Sequence, residues 1–128
     1  MKFLRILSVS AVLLACKGDE ACILYPCPVP VAAIVTVAAA NAAGPVPGAQ
    51  LIVNGTQQGG GCSAAQVTTC EVFGGTGRYD IEASAPGYAS ARTTVTVTGT
   101  DAGCNSCGEI DRQFVTVTLQ PLPQAARQ

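Results

Sequence analysis

The chain has 128 residues, seven of them Lys or Arg and eight Asp or Glu, with no His and no Trp, for a formal net charge of −1. That size bounds it to one domain with a modest core, and without a clustered Lys/Arg footprint nothing in it attracts nucleic acid. Lacking histidine, it has neither the commonest general base nor the usual partner of a nucleophilic Ser or Cys, which counts against catalysis.

At the start, Lys2 and Arg5 precede an apolar run from Ile6 to Ala15 that ends Leu13-Leu14-Ala15-Cys16. A basic start, a short apolar segment and a small residue at the cut point make the layout of an export signal. The run is too short to span a bilayer, which takes about 20 apolar residues. Its end resembles a bacterial lipobox. The plainer reading of Cys16 is an ordinary cysteine just past a conventional secretory cut, whereas the resemblance implies cleavage before Cys16 and its acylation by diacylglycerol and again on the new amine. Residues 1–15 are then the leader, and the mature chain sets five basic residues against eight acidic ones. One acyl chain holds a protein only marginally; three hold it firmly. Lys17 follows the acylated position in place of the Asp associated with inner-membrane retention, so the resemblance implies outer-membrane sorting in a Gram-negative organism.

Residues 16–30 come next, with KGDEACILYPCPVP after Cys16. Three prolines argue against helix and central strand, so the segment is expected to be a tether. A local bridge between Cys22 and Cys27 would close a small loop and stiffen it. From Val31 the pattern becomes short β-branched runs separated by Gly, Pro and Asn, as in an all-β sandwich. VAAIVTVAAA is followed by a turn around Gly44, Pro45, Pro47 and Gly48. In AQLIVNGTQQ, Ala49, Leu51 and Val53 alternate with Gln50 and Ile52, and Asn54-Gly55 signals a tight hairpin.

A weaker run spans Gln66 to Phe73. In GRYDIEASAPGY, Tyr79, Ile81, Ala83 and Ala85 share one face while Asp80, Glu82 and Ser84 share the other, which predicts a half-buried strand. RTTVTVTGT and QFVTVTLQP alternate Thr with Val95 and Val97, and with Val115, Val117 and Leu119. Threonine suits a solvated strand face. Valine inner faces beneath polar outer faces imply two packed sheets. Pro121 and Pro123 stop the last strand, and residues 122–128 are expected to be loose.

Three pieces in this order resemble the carboxypeptidase regulatory-like domains, small prealbumin-like β-sandwiches of secreted and surface bacterial proteins. They are IVTVAAANAAGPVPGAQLIV, GRYDIEASAPGY and VTVTLQP. The middle piece is the most specific, with Gly77, Tyr79 and then Ala85-Pro86-Gly87-Tyr88. The resemblance spans roughly residues 31–121 and implies a single antiparallel sandwich of about six to seven strands. It leaves out the two cysteine-bearing loops. Tyr79 and Tyr88 are expected to serve core and corner packing.

Removing Cys16 to a thioether leaves six cysteines: Cys22, Cys27, Cys62, Cys70, Cys104 and Cys107. In an exported chain these are candidate disulfide partners, and they would add stability to a core of small side chains. Loop length favours Cys62 with Cys70. Cys104 with Cys107 would be strained, and one of them pairing with the loop around Cys62 is the competing arrangement. A redox role would need a low-pKa thiol at a helix start, and zinc would need cysteines from separate loops; no cofactor and no metal are expected. Asp80, Glu82, Glu109 and Asp111 read as solvated charge. Asn54-Gly55-Thr56 matches a glycosylation sequon but is better explained by the hairpin.

Together these features predict a non-catalytic, lipid-anchored envelope protein. It would present a disulfide-stapled sandwich to an envelope partner whose identity the sequence does not give, through edge strands and Gly-rich loops. The alternative is a small-ligand or carbohydrate-binding module serving an envelope enzyme or transporter.

Overall fold

The computed structural model describes residues 26–57 and 62–123, so the leader, Cys16 and Cys22 lie outside the described residues. The fold is all-β, a pair of packed sheets. Its strands are β1 (Val31–Ala39), β2 (Gln50–Val53), β3 (Thr56–Gln57), β4 (Cys62–Ala64) and β5 (Thr68–Phe73). They continue with β6 (Gly77–Ser84), β7 (Ala91–Val97), β8 (Gly99–Thr100), β9 (Glu109–Ile110) and β10 (Gln113–Leu119). One sheet runs β10-β1-β5-β4 and the other β3-β2-β6-β7, with β8 and β9 forming a separate hairpin. Every run anticipated from the sequence is a strand, and the weak one before Phe73 is β5.

Alternation explains how the sheets face each other. Ala33, Val35 and Val37 of β1 are buried, as are Cys70 and Val72 of β5 and Val117 and Leu119 of β10. Opposite them lie Leu51, Val53, Ile81, Ala83, Val95 and Val97. These side chains project inward because successive strand residues point to opposite faces. A bulge between Val31 and Ala33 leaves Ala32 buried beside Ala33. Asn54 and Gly55 both take positive φ, 50° and 80°, and close the β2–β3 hairpin as a type I′ turn.

One pairing departs from the antiparallel pattern. β1 and β10 run parallel, from Ala33 beside Gln113 to Ala39 beside Leu119. Parallel neighbours need a long crossover, and here the intervening sandwich supplies it. Both strands therefore start at the same end of the body, where β5 finishes and β6 begins.

The proline-rich turn also has a part in the core. Val46, between Pro45 and Pro47, is only 1% exposed. Its buried amide N–H donates to Thr68 Oγ1 at 2.8 Å, and the Thr68 hydroxyl donates back to the Val46 carbonyl at 3.2 Å. Neither proline can donate a backbone hydrogen bond, so Thr68 supplies the polar partner that lets this loop enter the core.

At the C-terminal side, the Leu122 N–H donates to the Gly87 carbonyl at 2.9 Å. The stretch expected to be loose from residue 122 is thus still paired at its first residue, because the chain leaving β10 continues along the Ala85–Ala89 corner.

Replacing Thr68 with Val keeps the shape but strands the Val46 N–H and carbonyl in the core. A loss of about 1–3 kcal/mol is expected in urea denaturation with disulfides intact. The same change at exposed Thr116 is expected to stay within about 0.5 kcal/mol.

Candidate functional site

The end of the sandwich where β1 and β10 begin gathers most of the polar and cysteine chemistry. Cys27, four residues before β1, is bonded to Cys107, with the two Cα atoms 5.5 Å apart. Cys104 is disulfide-bonded too. Cys62 and Cys70 join β4 to β5 across a register pair, as loop length favoured.

Three sequence-based arrangements are thereby corrected. Cys27 does not close a local loop with Cys22, Cys104 and Cys107 do not bond each other, and neither pairs with the Cys62 loop. The cause is topological: the parallel β1–β10 pair brings residues just before β1 beside the loop that precedes β10, although 80 positions separate Cys27 from Cys107. Closing so long a loop lowers unfolded-state entropy by on the order of 4 kcal/mol in the chain-entropy treatment. Pro26–Pro30 is consequently part of the folded body, and the Pro30 carbonyl accepts from Gly74 N–H at 3.0 Å.

Beside this staple lies an open depression of about 430 Å³ lined by Pro30, Gly75, Thr76, Asp101, Cys107 and Ile110, among others. Asp101 is its organising group. Its Oδ1 accepts from the Thr76 backbone N–H and its Oδ2 from the Thr76 hydroxyl, both at 2.6 Å. These bonds, side chain first and backbone second, hold the Asp101 carboxyl below the usual carboxylate range, against a smaller desolvation effect. Gly75 has no side chain because a Cβ there would collide with the Asp101 carboxylate.

Tyr79 reaches the same corner from β6 and donates its hydroxyl to the Gly75 carbonyl at 2.6 Å. Burial, and then the Asp101 charge, raise its pKa, so the phenol stays protonated and donating at neutral pH. The chemistry of the corner is therefore structural. Both Asp101 oxygens and the Tyr79 proton are committed to holding two loops.

Of the remaining motif residues, Gly77 opens β6 at this same end, while at the opposite end Ala85-Pro86-Gly87-Tyr88 forms a turn closed by Tyr88 N–H to the Ala85 carbonyl at 3.2 Å. Gly87 takes φ of 85° at the third turn position, as a type II turn requires. Ala85 is buried, while half-buried Tyr88 packs on the core and bridges Pro121. Both tyrosines thus have the core and corner places expected of them.

Asp80 and Glu82 lie on the outer face of the second sheet. Arg78 pairs with Asp80 at 3.3 Å and Arg92 with Glu82 at 2.7 Å. Asp80, Glu82 and Arg92 line a depression of about 440 Å³ that also includes Ile52, Gly55 and Thr94. Their charges are paired across the sheet surface, which the strand pattern alone did not show. Thr76 and Asp101 were missed by sequence reasoning altogether. Nothing in their spacing marks a partnership between residues 25 positions apart.

No family model matches the chain, and no curated protein matches it.

Two outcomes check the corner. Tyr79→Phe is expected to lose about 0.5–1.5 kcal/mol in urea denaturation. In an NMR pH titration the Thr76 amide is expected to hold its shift from neutrality down to the ordinary carboxylate range, about pH 4, and to move only below it. A carboxyl with a lowered folded pKa contributes fully above its unfolded value, and that contribution fades as pH falls through the folded one. Asp101→Asn is expected to abolish the acid step.

Proposed function

We propose that this chain is a non-catalytic lipoprotein of the bacterial cell envelope, anchored through Cys16. Its sandwich, of the carboxypeptidase regulatory-like type, serves a structural or protein-interaction role. The observation that supports this best is the Cys27–Cys107 bond. Disulfides persist in oxidising compartments outside the cytosol, and this one ties the body to the segment that follows the lipobox-like Leu13-Leu14-Ala15-Cys16. The absence of histidine and the structural use of Asp101 and Tyr79 fit a non-catalytic role. Lys17 after the acylated residue favours the outer membrane in a Gram-negative host.

The second reading, a small-ligand or carbohydrate-binding module, draws on the depression above β2, β6 and β7. There Asp80, Glu82, Arg92 and Thr94 offer hydrogen-bonding groups around Ile52. A saturable glycan-array hit lost in Asp80→Asn would favour it.

Anchoring is checked by expressing the full chain in a bacterium with labelled palmitate. Label is expected in the wild type and absent from Cys16→Ser. An unmodified wild type with its leader intact, or label persisting in the variant, would overturn the reading.

A further inference from the structure

The two outer faces of the sandwich differ sharply in charge. In the second sheet, β6 and β7 carry Arg78, Asp80, Glu82 and Arg92, all on the outer side. Across β10, β1, β5 and β4 the only charged residue is Glu71. In place of charge the first sheet exposes apolar groups near the stapled end. Phe114 is 74% exposed and stands beside Ile34 in the parallel register, while Phe73, 43% exposed, stands beside Val31. Val29, 66% exposed, precedes them on the stapled segment. Farther along the same face a row of hydroxyls crosses all four strands, Thr116, Thr36, Thr69 and Ser63 in register.

We infer that this face of the first sheet rests on the surface of a zwitterionic lipid bilayer, an inference that depends on the anchoring proposed above. Chain length selects the occupant. The first of the described residues tied to the body is Cys27, through its bond to Cys107. With Cys16 acylated, the leash is the eleven steps from Cys16 to Cys27, which span at most about 40 Å. A leash of that length keeps the stapled end close to the lipid surface. Ile34 lies three residues, about 10 Å, along β1 from Val31, so the apolar patch is within reach of the same surface when the domain lies on its first sheet.

The chemistry of the face fits an interface. Phenylalanine and isoleucine enter the boundary between headgroups and acyl chains, the threonine row hydrogen-bonds to headgroups, and the ion-paired second sheet is left in water. The lipid is zwitterionic because Glu71 on the face and Asp111 beside β10 oppose an anionic surface, with Arg112 the one cation among the described residues next to β10.

The chain contains no Trp, so a single introduced indole reports its own position. The full acylated chain is reconstituted in phosphatidylcholine vesicles with and without brominated phosphatidylcholine, as Phe114→Trp and, on the opposite face, Thr96→Trp. Emission from Phe114→Trp is expected to fall at least about twofold with brominated lipid, and that from Thr96→Trp to stay nearly constant, as expected for an aromatic held at the interface. Equal quenching of both, or quenching of neither in vesicles that carry the protein on flotation, would overturn the inference while leaving the anchor standing. A blue-shifted but unquenched Phe114→Trp would place a second copy or another protein on the face instead. Failure of the wild type to float with vesicles would remove the anchor and the bilayer contact together.

Discussion

The bond between Cys27 and Cys107 is the constraint on which the rest of the molecule depends. It turns the proline-rich segment before β1 from a connector into a part of the body and fixes the point at which the N-terminal chain leaves the sandwich. The bond is possible because β1 and β10 run parallel and begin at one end. Around it, Asp101 holds Thr76 and Tyr79 holds Gly75. The loops at that end are thus tied by covalent and polar links.

The same economy runs through the core. Its buried members are mostly Val and Ala, with Ile81, Leu51 and Leu119 the largest aliphatic groups. Small side chains bury little area each, so cross-links that limit the unfolded chain carry a larger share of stability than in a Leu- and Phe-rich domain. Thr68 belongs to this scheme. Its hydroxyl satisfies both backbone groups of Val46, so a loop between two prolines contributes a fully covered side chain to the core.

Much of this was legible in the residues. Period-two alternation marked which side chains of β2, β6, β7 and β10 turn inward, and Asn54-Gly55 and the stretch from Gly44 to Gly48 marked turns, because each depends only on neighbours along the chain. Cys62 with Cys70 was legible for the same reason. What escaped depends on which strands become neighbours. The parallel β1–β10 pair, the distant Cys27–Cys107 bond and the Thr76–Asp101 contact each join positions with no sequence periodicity between them. Alternation also says nothing about which sheet a strand joins, so the segregation of charge onto β6 and β7, leaving Phe114 on a nearly uncharged sheet, appears only once the topology is known.

Fixing the exit of the N-terminal chain at the base of the sandwich gives the domain a defined underside. Peptide mapping of the oxidised protein without reduction tests that arrangement most directly. Linked peptides containing Cys27 with Cys107, and Cys62 with Cys70, are the predicted result. A Cys104–Cys107 bond, or a Cys22–Cys27 bond, would contradict it and free the N-terminal segment from the body.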